Sequence, residues 1–441
     1  MSQEVKFGEG SLLAEIMAEE RFTPSVPGSL EETGLPTSLI ESLIVKYLLQ
    51  VGSESGHNIA KFVKLPYGLL DDTFGELRTR KIVVHDRAAP LNDYYYSLTE
   101  QGREQARTYL RNCAYTGAAP VRLIDYVLSV EAQSIRDESP KRAQLEEAFK
   151  DISVNTDLFE DLGPAINSGA GMFLYGSPGN GKSTLAKRIT MCFGDAVWVP
   201  YAVVEDNQII KIFDRAYHTP IRSKETGSLV VTESFDGRWV KIRRPTVTVG
   251  GELTLSSLEI QHNPTSNVSE APLQMKSNCG CLLIDDFGRQ LIDPSTLLNR
   301  WIVPLENRVD YLTLATGKKI QVPFEQLIIF STNLEPKDLV DEAFLRRIPY
   351  KIKIDDANEQ EFHDLFRIYA EKYNCPYTPE TVDYLIQKHY KPQNRPMRRC
   401  HPRDLLGQIR NYCNYNGLPM EMKPEYFDRV VRSYFTVLIG Q

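Results

Sequence analysis

Residues 176–184, Gly176-Ser177-Pro178-Gly179-Asn180-Gly181-Lys182-Ser183-Thr184, gather three glycines, a proline and one lysine in a single short run. An apolar tetrapeptide, Met172-Phe173-Leu174-Tyr175, precedes it and a helix-forming run, 184–189, follows. Glycine costs roughly 0.5–1 kcal/mol per residue in a regular element, so packing does not account for this density. The run satisfies G-x-x-x-x-G-K-[ST] in full, in the strand–loop–helix setting that the pattern demands. Its chemistry is phosphate binding. Glycines let backbone N–H groups turn towards β- and γ-phosphates with no Cβ in the way, and a helix N-terminus adds the positive end of its dipole. Lys182 would bring a mobile charge to the outer phosphates, and Ser183 a hydroxyl ligand for Mg2+. The competing account is a flexible strand–helix turn, and the flanking elements weigh against it.

A second group narrows the reaction. Cys281-Leu282-Leu283-Ile284-Asp285-Asp286-Phe287-Gly288 is an apolar strand pattern that ends in two adjacent carboxylates. Asp285 would hold Mg2+ through water. Asp286 stands where a carboxylate can polarise an attacking water, one methylene shorter than the glutamate usual at that place. Two acids after a strand could also be a solvated turn, but the lysine loop upstream favours the metal reading.

Such groups need a sheet to hold them, and the composition allows one. Hydrophobic residues at 42% and charged residues at 25% sit near globular averages, and the length implies roughly two to four domains. The formal charge is −7, with 51 basic and 58 acidic residues and no basic block, so bulk charge does not announce nucleic-acid binding. No stretch approaches the ~20 apolar residues of a membrane helix, and the N-terminus lacks the apolar core of a signal peptide. Seven cysteines without a CxxC pair fit a reducing compartment. Cys279 and Cys281 read as buried thiols and not as a metal site. The expectation is a cytoplasmic protein with no membrane partner.

Along the chain, residues 1–36 are polar and aperiodic and read as an arm. Between 37 and 112, helical patterns at 38–50, 57–63 and 69–81 precede strand patterns at 82–85 and 94–98, and Thr99 can cap a last helix. This order resembles a winged helix-turn-helix, whose third helix enters the DNA major groove. Here that helix carries Asp71, Asp72 and Glu76 ahead of Arg78, Arg80 and Lys81, which is poor for lying along phosphates. DNA binding and protein docking are equally open for it. Residues 113–144 read as a linker. From 145 to 355 apolar strands alternate with helical patterns, the signature of an α/β domain with a parallel sheet. A helix is expected around 205–218. A β-rich insertion follows at about 222–277, with strand character in 229–237, 238–251 and 252–260.

From 145 to the C-terminus the chain resembles the AAA+ ATPases. The run Leu327-Ile328-Ile329-Phe330-Ser331-Thr332-Asn333 is similar to their sensor 1 strand, which implies that Asn333 orients the lytic water. Asp341-Glu342-Ala343-Phe344-Leu345-Arg346-Arg347-Ile348 resembles the segment that carries an arginine finger. The resemblance implies that Arg346 or Arg347 reaches the γ-phosphate of a neighbouring subunit, although two arginines at a helix end could also complement its dipole. Cys400-His401-Pro402-Arg403-Asp404-Leu405-Leu406 is similar to sensor 2, with Arg403 on the nucleotide and Arg395, Arg398 and Arg399 crowding the same loop. Residues 356–441 would be the helical lid. A hairpin pattern around Ala315-Thr316-Gly317 resembles the pre-sensor-1 branch, which includes MoxR-like ATPases, and there such insertions line a ring pore or touch the remodelled partner. The Leu282–Gly288 string is also similar to that of helicase loaders, with their paired aspartates. Trp239, Lys241, Arg243 and Arg244 make the insertion basic and aromatic, for nucleic acid, an acidic protein surface or a solvated hairpin face.

The fold expected is an α/β P-loop AAA+ core with a parallel sheet, a small C-terminal helical lid and an N-terminal winged helix. The resemblance implies ATP and Mg2+ as cofactors, with residues 176–184 and Arg403 on the nucleotide and Ser183 and Asp285 on the metal. Asp286, Asn333 and Arg346 or Arg347 would carry hydrolysis. It also implies a homo-oligomeric ring or arc that remodels an unidentified protein client. The alternatives are an ATP-controlled switch or loader that binds DNA through the winged helix, and an ATP-binding scaffold with little hydrolysis.

Overall fold

The computed structural model describes residues 22–435 except 91, 151, 153–155, 195 and 222–234. Residues 1–21 of the expected arm and most of the strand-like run 229–237 lie outside the described residues. Five short strands form the layer that matters here: β1 (Met172–Tyr175), β2 (Thr246–Val249), β3 (Cys281–Ile284), β4 (Leu327–Thr332) and β5 (Tyr350–Lys353). They pair wholly in parallel, in the order β2-β3-β4-β1-β5. The inner strands are buried on both faces, which is why they read as nearly continuous apolar runs. Successive residues still point to opposite faces. Leu174, Leu283 and Ile329 meet Leu145, Phe149 and Leu162 on one side, whereas Phe173, Leu282 and Phe330 meet Phe287 and Trp301 on the other.

Strand order decides function here. Both β1 and β3 hydrogen-bond to β4, with Thr332 opposite Tyr175 and Phe330 opposite Ile284. The glycine loop after β1, the carboxylates after β3 and Asn333 after β4 therefore leave one carboxyl edge side by side, the edge where open α/β sheets hold ligands. This is the parallel α/β sheet, with a glycine loop at its carboxyl edge, that the sequence reading expects. A helical region with its own core follows, built on Phe362, Phe366, Leu405, Ile409 and Phe427 from helices Glu359–Lys372, His401–Asn416 and Pro424–Tyr434.

Towards the N-terminus, helices Thr37–Val51, Gly56–Val63 and Tyr67–Thr79 precede an antiparallel ribbon, Val83–Ala89 with Asp93–Leu98. The short strand Ser53–Ser55 joins its free edge. Thr99 Oγ1 accepts from the Gly102 N–H at 2.9 Å and so starts helix Glu100–Asn112.

Several expectations are corrected. Residues 205–218 are not helical: Ala202–Glu205 and Gln208–Lys211 form an antiparallel hairpin. Its turn residues Asp206 and Asn207 take φ of 51° and 60°, which their short polar side chains tolerate. The run 238–251 divides between two sheets. Trp239–Arg243 pairs with Ala196–Pro200, whereas Thr246–Val249 becomes β2 of the central sheet. Within 252–260, Leu255–Leu258 is a turn of 3-10 helix and not a strand. The linker contains helix Leu123–Ala132, anchored where Tyr126 Oη donates to the Met275 carbonyl at 2.9 Å. The described end of the arm is packed: Phe22 sets its ring edge against Trp239, and the Asp236 N–H donates to the Pro24 carbonyl.

The hairpin around Ala315-Thr316-Gly317 is present, Val309–Thr313 paired with Lys319–Pro323. Leu312, Leu314, Ile320 and Val322 bury one face of it against Val203 and Ile210. Its tip is tied to the 202–211 hairpin through the Ala315 N–H to Gln208 (3.0 Å), Thr316 to Asp206 (3.1 Å) and Lys318 to Glu205 (2.6 Å).

Candidate functional site

The loop owes its shape to backbone conformations that only glycine adopts without strain. Gly181, at φ 81°, sits in the left-handed region as the N-cap of helix α1 (Lys182–Ile189). Gly179, at φ 84°, also has no room, because a Cβ there would stand 2.6 Å from Cys400 Sγ. The loop N–H groups thus precede a helix N-terminus directly, as anion binding requires.

Lys182 is 7% exposed. Its ammonium donates to the carbonyls of Gly176 (2.9 Å) and Ser177 (3.0 Å) and to Asn333 Oδ1 (2.7 Å). Burial lowers its pKa below the ordinary lysine value; Asp285 and Asp286 oppose the shift, and the Arg398 guanidinium adds to it. Ser183 Oγ donates to Asp285 Oδ2 at 2.6 Å. Asp285 Oδ1 accepts from the Asp286 N–H, and Gln290 Nε2 holds the Asp285 carbonyl at 2.8 Å. Asn333 Nδ2 lies 3.3 Å from Asp286 Oδ1. A closed polar circuit results: Lys182, Asn333, Asp286, Asp285, Ser183 and back along the chain to Lys182.

Beside the circuit opens a cavity of about 320 Å³. Its lining combines the loop from Pro178 to Thr184, Asp285, Asp286 and Asn333 with Ile152, Leu158, Leu365 and Tyr369. Arg403 lines it too, half-exposed, with its Nε on the neighbouring Asp404 at 2.7 Å. The predicted loop, carboxylates, Asn333 and Arg403 are therefore brought together.

Arg346 and Arg347 are not among them. Both end helix α2 (Glu342–Arg347) and neither lines the cavity. Arg347 is bound to Glu306 at 2.6 Å, while Arg346 is exposed with no ion pair or hydrogen bond among the described residues.

Sequence reasoning missed the contacts that join the loop to the C-terminal helices. Asn180, Arg398 and Arg399 make them, and the only local signal was the crowding of arginines at 395–403. The basic, aromatic face proposed around 239–244 does not form. Trp239 is buried, and Arg244 turns inward to the Cys279 carbonyl (2.6 Å) and Glu138, leaving Arg243 as the exposed cation of the group.

Comparison with known proteins adds three findings. Residues 358–433 match a family described as Domain of unknown function (DUF8689). No curated protein matches the chain. Among solved structures, the chain is similar to a RuvB mutant from Thermotoga maritima, at 10% identity and TM-score 0.39, with 67% of this chain and 74% of that one covered. It is also similar to NtrX from Brucella abortus, at 13% identity and TM-score 0.38, covering 76% of this chain and 73% of that one. Against NtrX in complex with ADP the values are 14% and 0.37; 71% of this chain and 62% of that one are covered, so the chain spans less than two thirds of that relative's length. The fold assignment rests on the strand order and the loop. Among the described residues no helix is long and apolar enough to cross a membrane.

Proposed function

We propose that the protein is an AAA+-type ATPase that binds ATP with Mg2+, hydrolyses it, and uses the cycle to change the conformation of a partner macromolecule. The observation that carries this reading is the polar circuit, in which Lys182 and the paired aspartates meet through Asn333 while Ser183 meets Asp285. A hydroxyl and a carboxylate 2.6 Å apart present two hard oxygen donors at one point, the donor set that suits Mg2+ with waters filling its remaining positions. When bound, the metal would neutralise phosphate charge.

The chain's own residues supply the rest. Loop N–H groups bind the phosphates, and Lys182 exchanges its carbonyl partners for phosphate oxygen. Asp286 holds the attacking water and accepts its proton, and Asn333 fixes the Asp286 carboxylate. The cavity's apolar lining residues support a base site for adenine, with Tyr369 as a stacking surface.

Arg346 supports a homo-oligomer. It has no partner of its own among the described residues, whereas Arg347 is already engaged by Glu306, so Arg346 is our finger residue for a neighbouring subunit's γ-phosphate. For the N-terminal module we retain the winged-helix reading and favour a protein client over DNA. Asp71, Asp72 and Glu76 are exposed on helix Tyr67–Thr79 without ion pairs among the described residues, and each would repel a phosphate backbone.

Nucleotide binding and turnover of the full chain test the reading. Lys182→Ala is expected to abolish binding of a fluorescent ADP analogue. Asp286→Asn should keep binding but lose turnover on the order of 100-fold or more, and Asn333→Ala should behave likewise. Unchanged hydrolysis in all three variants would defeat the proposal.

A further inference from the structure

Phosphate chemistry does not specify the residue between the last two glycines of the loop, yet here it is Asn180, only 1% exposed. Its amide is consumed by groups far away in sequence. Nδ2 donates to Asp356 Oδ1 at 2.8 Å and approaches the Ile354 carbonyl at 3.4 Å; Oδ1 accepts from the Arg399 N–H at 3.2 Å. The first two partners belong to the chain leaving β5, and the third to the turn before helix α3 (His401–Asn416). One side chain thus gathers the phosphate loop, the exit from the sheet and the entry to the C-terminal helices.

Neighbouring contacts follow the same line. The Cys400 N–H donates to the Gly179 carbonyl at 2.9 Å, and Arg398 Nη1 to the Pro178 carbonyl at 3.0 Å. Arg398 Nε stands 3.5 Å from Asp356, and Arg399 is paired with Glu361 of the first C-terminal helix at 2.9 Å. A buried amide with such partners is directional. Replacing it leaves Asp356 with Arg398 alone and the Arg399 N–H without its acceptor, in a partly buried junction.

We propose that Asn180 is a positioning residue that fastens the C-terminal helical region to the phosphate loop, so that filling the loop and seating this region are one coupled equilibrium. Arg403 and Tyr369, which that region contributes to the cavity, are set in place by the same contact. The inference rests on the nucleotide reading for its ligand, but the clamp itself is a property of the free protein.

A double-mutant cycle on the full chain tests it, with Asn180→Asp, Asp356→Asn and the pair together. Asn180→Asp sets a carboxylate against Asp356, and the double variant restores one amide and one carboxylate with the roles exchanged. The readouts are the dissociation constant of a fluorescent ADP analogue and hydrogen exchange of residues 395–403 with and without ADP. Asn180→Asp is expected to weaken ADP binding about 10-fold. It should also speed exchange of 395–403 in the free protein and abolish their ADP-induced protection. The double variant should recover most of each effect. Wild-type affinity and exchange in Asn180→Asp would overturn the proposal, as would losses that the double variant does not recover. If the wild-type chain binds no ADP, the nucleotide reading fails, and exchange of 395–403 in the free variants still decides the clamp.

Discussion

Lys182 is a buried cation whose three direct partners are all neutral oxygens, two carbonyls and an amide. On the proposed reading it trades these weak acceptors for a phosphate, which a direct ion pair to Asp285 would have opposed. Arg346 and Arg347 show how position separates identical side chains. The Arg347–Glu306 pair is partly exposed, so Arg347→Ala should cost about 1 kcal/mol or less in melting experiments and leave turnover within a few-fold. Arg346→Ala should leave melting unchanged and lower turnover on the order of 1,000-fold. The opposite ranking in a steady-state ATPase assay would assign the finger to Arg347. Their different surroundings were not legible in the sequence, where the two arginines are equivalent, because they depend on Glu306, a residue of another helix.

At the scale of elements, helix α3 begins at His401, whose ring is 7% exposed and whose Nδ1 meets Tyr390 Oη at 2.9 Å. Burial, with the Arg398 guanidinium second, lowers its pKa to about 4. The folded state therefore holds the ring neutral, whereas the unfolded chain protonates it near pH 6.5. Its contribution is full above pH 6.5 and is lost as the pH falls through about 4. The melting temperature should accordingly fall across that window. His401→Asn should flatten the fall by up to roughly 3 kcal/mol, measured as unfolding free energy against pH; an unchanged slope would remove His401 from the account. The resemblance to sensor 2 singled out this segment, but the depth of its first ring was not legible in the sequence. Burial there is decided by Tyr390, Tyr434 and Phe435, which arrive from other turns of the chain.

At the scale of the molecule, the 309–323 hairpin is clamped to the 202–211 hairpin, and the N-terminal core includes Ala202 and Ile209 of that same hairpin. In this chain the exposed hairpin tip is braced by a neighbouring hairpin of the same chain. Gln208 is its buried pin, 7% exposed, and Gln208→Ala should cost about 1–3 kcal/mol in denaturant unfolding. An effect within error would show the tip to be held by surface pairs alone. Assembly belongs to this scale too. The mass in solution should rise to a multiple of the protomer with a non-hydrolysable ATP analogue. A persistent monomer at high concentration would rule out a finger acting between subunits.

The sequence by itself determined the phosphate loop, the paired carboxylates and the parallel α/β class. Each is written in neighbouring residues: glycines that free the backbone, and apolar runs that only a doubly covered strand can use. Tertiary structure alone decided that β2 comes from the middle of an insertion, that Trp239 and Arg244 turn inward, and that Asn180 grips the C-terminal region. Those outcomes depend on hydrogen bonds and packing between segments far apart in the chain. Such partners leave no period and no spacing behind them, so a local pattern cannot encode the choice.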